Sequence, residues 1–227
     1  AELTLPWKAL AAGKGGEMSL HLKGYVGRKD VFALAGNAIP KDIAAIYPRQ
    51  PLRVEATLSG NMDHFKFRHT RLEFPSAILL KADGRIDHAA KSYRSGHAAF
   101  VLRTRNIAFL RPLVKGTGVA LPTSTSANGH VAFSGERYAF GLNGGINKGT
   151  FAANGRINLR SKAYQAHLKA KALPLNALLP KQGLSAFTGE AEASGHGFNF
   201  LSAGTQLSAK AHINSFHYST YPLDNTK

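Results

Sequence analysis

A unit that recurs three times constrains the fold of this 227-residue chain more than any single motif does. Each copy joins a short apolar, proline-marked segment to alternating strands, then to a Gly-centred turn leading into an aromatic strand. The first runs from residues 40–48 to Ser59-Gly60 and on to Phe65 and Phe67. The second runs from residues 107–114 to Ser134-Gly135, then Tyr138 and Phe140. The third runs from residues 173–180 to Ser194-Gly195, then Phe198 and Phe200. The Ser-Gly pairs stand 75 and 60 residues apart, so the repeat is loose. Self-similarity of this kind predicts a stacked, quasi-one-dimensional architecture whose continuous surface carries function.

Between the recurring marks the pattern has a period of two. Tyr164, Ala166, Leu168, Ala170 and Ala172 alternate with Gln165, His167, Lys169 and Lys171. Leu207, Ala209, Ala211 and Ile213 alternate with Lys210, His212 and Asn214. That is the signature of a sheet with one dry and one wet face. Glycine (23 residues) and proline (10) are spread throughout, and no 15-residue stretch holds a helical period. Asp83-Gly84, Asn128-Gly129, Asn147-Lys148-Gly149 and Ser161-Lys162 read as turns. The expectation is an all-β fold: an elongated, curved antiparallel sheet forming an open trough of about a dozen strands, with short helical turns between repeats. Residues 1–30 would supply opening strands, 31–214 the repetitive unit, and 215–227 a terminal strand or tail.

Charge speaks to partners rather than fold. Lys and Arg number 29 against 13 Asp and Glu, for a net +16, which suits phosphate backbones, anionic lipid headgroups or acidic proteins. The absence of cysteine excludes disulfides and thiolate metal sites. No window of 18 apolar residues exists for a transmembrane helix. Residues 1–30 contain no signal-peptide core, and the chain reads as a segment of a longer protein. No nucleophile-elbow, zinc-protease or dinucleotide motif occurs. The run Gly195-His196-Gly197 lacks a third glycine and a following helix. Glu190 and Glu192 share a strand face, the usual arrangement of a solvated pair. His64 and His69, like His212 and His217, are five apart and so fall on opposite faces. No catalytic residue, metal ligand or cofactor is expected, and the chain is not read as an enzyme.

The two faces differ in kind. Basic residues concentrate on the wet face, with Lys66, Arg68, Arg103, Arg105, Lys169 and Lys171 as candidate contacts for anionic headgroups and Arg160 and Lys162 beside them. Phe65, Phe67, Phe74, Phe133, Phe140, Leu142, Phe151, Ile157, Leu159, Leu168, Phe198, Phe200 and Ile213 are the expected lining of the dry face. Aromatics so segregated from the cations disfavour nucleic acid, whose bases stack beside their basic contacts. Many lining positions are small: Ala56, Ala166, Ala170, Ala191, Ala193, Ala209 and Ala211. An ordinary sandwich core and an incompletely filled groove both fit this pattern.

The third unit joins Leu173, Pro174, Leu175, Leu178, Leu179 and Pro180 to Thr188-Gly189 and Ser194-Gly195. It resembles the AsmA/TamB superfamily, the TamB-like DUF490 proteins in particular, and residues 104–113 resemble the same unit. The likeness covers most of residues 31–214. It implies a periplasmic segment of a protein anchored in the inner membrane of a diderm bacterium. Its β-taco would offer a greasy trough for phospholipid, or another acyl ligand, moving between the inner and outer membranes. The family likeness also implies a second role, assisting assembly or secretion of outer-membrane β-barrel proteins through strand augmentation, with an Omp85-type barrel as partner. Binding of a polyanion such as lipopolysaccharide is a third expectation; no nucleic acid is expected.

Overall fold

The period-two segments become strands laid down side by side in chain order. The computed structural model describes residues 17–30, 48–61, 63–115, 118–197, 204–219 and 221–222. Eleven strands form one sheet: β1 (Met18–Val26), β2 (Leu52–Gly60), β3 (His64–Phe74), β4 (Ile78–Asp87), β5 (Ser95–Thr104), β6 (Thr125–Ser134), β7 (Arg137–Ile146), β8 (Gly149–Asn158), β9 (Ala163–Leu173), β10 (Phe187–His196) and β11 (Gln206–Ser215). Each pairs antiparallel with its neighbour in sequence, and β1 does not meet β11, so the sheet is an open meander. A small second sheet, β12 (His217–Tyr218) with β13 (Tyr221–Pro222), bridges back from Tyr218 to Leu184.

This topology explains the threefold repeat. The long connections join β1 to β2, β5 to β6 and β9 to β10, so they recur every four strands and leave the sheet at the same rim. The Ser-Gly pairs lie at or beside the ends of β2, β6 and β10, again four strands apart. The repeat is thus a four-strand unit with one insertion. The second insertion holds a 3₁₀ turn (Ala108–Leu110) running into helix α1 (Arg111–Val114), which has a proline in its first turn. The third holds helix α2 (Leu175–Leu178). Both match the expected short helical turns. In the first, residues 40–47 lie outside the described residues.

The second and third insertions form a belt along this rim. Arg105 and Asn106 donate backbone N–H groups to Ala77 and Ser76 in the β3–β4 turn, and Ala120 donates to Leu178 of α2. Asn147 Oδ1 accepts from Thr123 Oγ1 at 2.6 Å, tying in the β7–β8 turn. A small apolar cluster sits against the belt: Ala170, Leu173 and Phe187, packed by Leu175, Ile213 and Phe216.

Two expected turns are not turns. Asp83-Gly84 lies within β4 and Asn128-Gly129 within β6. At Asp83 the reason is a bulge in β3, where His69 adopts φ 52°. Asp83 Oδ1 accepts the His69 backbone N–H at 2.6 Å, so the carboxylate pins the bulge. Asp83→Ala should cost about 1 kcal/mol, the worth of one charge-assisted hydrogen bond, with Asp83→Asn retaining part of it. Urea denaturation of the two variants checks this; equal stability of Asp83→Ala and the parent would refute the pinning role. The turns expected at Asn147 and Ser161-Lys162 do form, with Asn147 and Lys162 at φ 53° and 57°.

Candidate functional site

The strand register sorts side chains into two surfaces. Reading across the sheet from β1, one row is Gly24, Val54, Leu72, Leu80, Leu102, Ala127, Gly144, Phe151, Ala170, Gly189 and Ile213. A second row on the same face is Leu20, Leu58, Phe67, Gly84, Ala98, Val131, Phe140, Gly155, Ala166, Ala193 and Ala209. No Asp, Glu, Lys, Arg or His of the eleven strands falls on this face. Its polar atoms belong to Thr70, Thr104, Thr125, Tyr138 and Tyr164.

Aromatic residues pave this face rather than stand on it. Phe67 is registered opposite Gly84, Phe133 opposite Gly96, Phe140 opposite Gly155 and Phe151 opposite Gly144. A Cβ built on Gly84 would meet the Phe67 ring at 2.5 Å; on Gly155 or Gly96 it would meet Phe140 or Phe133 at 2.7 or 2.8 Å. Each ring therefore lies down over the glycine of the adjacent strand, the packing known as aromatic rescue. Phe133 also stacks on Tyr138, with centroids 5.8 Å apart.

Away from the insertion rim this face lacks a cover among the described residues. Strands contact chiefly the strands beside them; at that rim Leu175 of α2, Phe216 and Phe109 pack on lining side chains, and no second described sheet lies over the rest. Among the described residues none is less than 2% exposed, and the most buried ones, such as Ala56 and Ala170 at 5%, are small. Eleven strands of about ten residues, at about 4.8 Å between strands and 3.3 Å per residue, give a face of roughly 1,600 Å².

Ten of the expected lining residues sit on this face: Phe65, Phe67, Phe74, Phe133, Phe140, Leu142, Phe151, Ile157, Leu168 and Ile213. Leu159 lies in the β8–β9 turn and is 45% exposed. Phe198 and Phe200 lie outside the described residues.

Of the candidate headgroup cations, Lys66, Arg68, Arg103, Lys169 and Lys171 belong to the opposite face. Arg105 follows β5 at the insertion rim. Lys169 is held by Glu190 at 2.7 Å, with His167 of the same patch 3.9 Å from Glu190. The hydrogen bond between them raises the Lys169 ammonium above its ordinary value and lowers the Glu190 carboxyl. Glu190 and Glu192 thus sit in a mixed-charge patch with Lys169, Lys210 and His212.

Sequence reasoning missed two clusters. At the other rim Asp87, 8% exposed, lies 2.9 Å from His64 Nδ1 and accepts from Arg85 Nε at 2.8 Å. The His64 hydrogen bond, aided by Arg85, holds this carboxyl below its usual range. The second cluster is Arg105, Arg111 and Lys115 in the β5–β6 insertion. Its signal was present in the chain, since no acid occurs between Asp87 and Glu136. Among the described residues, no group of three or more His, Asp or Glu is placed to hold a metal ion, and no helix is long and apolar enough to cross a membrane. Comparison with protein-family models, curated proteins and solved structures finds no match to this chain.

Proposed function

We propose that the apolar face binds acyl chains, and that the chain serves as a lipid-carrying surface rather than an enzyme. The observation that carries this reading is the continuous, charge-free face of eleven strands, which the described residues cover at the insertion rim, where Leu175 of α2 and Phe216 pack, and leave open beyond it. Leaving such a face in water is costly. Acyl chains laid on it would be sheltered at about 0.8 kcal/mol per buried CH₂. Strands about 33 Å long exceed the roughly 15 Å depth of one leaflet's hydrocarbon, so a phospholipid's chains fit along them. Flush aromatic rings favour non-directional contact, which suits a ligand that must move as well as bind. The resemblance to AsmA/TamB proteins supports the same reading, with the chain working in the periplasm as part of a membrane-anchored parent.

Purification from a bacterial host followed by native mass spectrometry and organic extraction tests it. Adducts of phospholipid mass are expected at one or more per chain. A lipid-free protein that also takes up none from vesicles would sink the proposal.

One observation favours a second reading. Among the described residues, β11 pairs on one side alone and is exposed along nearly all its length. A free edge of this kind is a template for strand addition by a client β-barrel segment. Binding of an unfolded barrel protein that is lost when Ala209 becomes proline, while lipid uptake persists, would select this reading over the first.

A further inference from the structure

The β5–β6 insertion forms an open pocket of about 930 Å³ that combines three exposed cations with an apolar wall. Arg105, Arg111 and Lys115 supply the charge; Ile107, Val114 and Leu121 supply much of the wall. The volume is that of a ligand site, about 300–1,000 Å³. Among the described residues no carboxylate lies within ion-pair distance of any of the three cations. The pocket therefore carries positive charge with no carboxylate partner, which favours an anion there. Two guanidiniums and an ammonium match a phosphate oxygen cluster, the former by bidentate hydrogen bonds.

The insertion that carries this pocket is anchored at the rim of the apolar face. The insertion is stitched to the β3–β4 turn through Arg105 and Asn106. Phe109 packs edge-on against Phe74, with ring centroids 6.1 Å apart, and Phe74 is the last lining residue of β3 at that rim. A group held by the three cations therefore sits on the insertion that packs at the rim where the β3 lining ends.

We infer that this pocket is the headgroup site of an anionic phospholipid, its phosphate held by Arg105, Arg111 and Lys115 while its chains extend over the apolar face. The inference rests on the acyl-binding reading above and adds a selection for anionic over zwitterionic lipid.

The delipidated full chain is incubated with vesicles of pure phosphatidylglycerol or pure phosphatidylcholine, and transferred lipid is counted by native mass spectrometry. Each cation facing an anionic headgroup is worth roughly a factor of five, so the parent should take up at least about tenfold more phosphatidylglycerol. In R105Q/R111Q/K115Q the ratio should fall below about twofold, chiefly through lost phosphatidylglycerol uptake. Phosphatidylcholine also carries a phosphate, but its choline offsets that charge, so its uptake, driven by apolar burial, should fall less. R111Q alone, an exposed site, should show a partial loss if the triple variant does not fold. Equal uptake of both lipids by the parent, or a preference that survives the triple variant, overturns the headgroup site and leaves the acyl-binding face standing. Uptake of neither lipid removes both. Excess inorganic phosphate should leave the preference largely in place; if it abolishes the preference, the ligand is a free phosphate and the lipid assignment falls.

Discussion

Gly84→Ala is expected to destabilise the sheet by about 2–3 kcal/mol, as overpacking of a site with no room does. The added Cβ would stand 2.5 Å from the His97 carbonyl oxygen and 2.5 Å from the Phe67 ring, with the Ala98 Cα at 3.0 Å. A ring tip can rotate away, but the backbone of β5 cannot move without breaking its ladder. A double-mutant cycle with Phe67→Ala separates the two contributions. The cycle should return part of the loss, from the ring, and leave the backbone part. Urea unfolding measures both, and a cost below about 0.5 kcal/mol for Gly84→Ala would mean that neither the ring nor the β5 backbone closes on this position.

Leu142→Glu is expected to reduce retained lipid at least tenfold, because a carboxylate beneath acyl chains loses hydration worth several kcal/mol without gaining a partner. Leu142 sits mid-strand in β7 on the apolar face and is half-buried. It does not belong to the cluster at the insertion rim, so the fold should survive, and a retained circular dichroism spectrum is the control. Leu142→Met keeps the face apolar and should keep the lipid. Native mass spectrometry of the three proteins gives the comparison. Unchanged lipid in Leu142→Glu would place the acyl chains elsewhere or nowhere.

Strand identity and strand face were legible because side-chain direction alternates along any extended chain, whatever its neighbours do. That is why Phe140, Leu168 and Ile213 were assigned to one face, and Lys66 and Lys169 to the other, before any pairing was known. Asp83-Gly84 and Asn128-Gly129 were misread because turn statistics cannot see a partner strand. Asp83 caps a bulge in β3, and Gly129 has no room for a Cβ beside Leu142 of β7. Leu159 was misplaced by a different route: its parity continues that of Ile157, but β8 ends at Asn158.

The candidate headgroup cations show the same limit. Lys66, Arg68 and Lys169 were placed on the wet face and yet offered as headgroup contacts for a ligand of the dry one, because both faces were read as features of one trough. A strand's wet residues point away from its dry ones, so the sheet itself separates them. Arg105 escapes this because it lies beyond the end of β5, where an insertion turns the chain and places it with Arg111 and Lys115.

The sequence by itself determined that the chain is a β-protein with one charge-free face, since alternation is a property of each strand alone. It also carried the threefold mark, though not its meaning. The tertiary structure decided that the mark is a four-strand period, that its insertions leave at one rim, and that aromatic rings lie over glycines of the next strand. Those features depend on which strand lies beside which and in what register, a choice made by contacts between residues tens of positions apart.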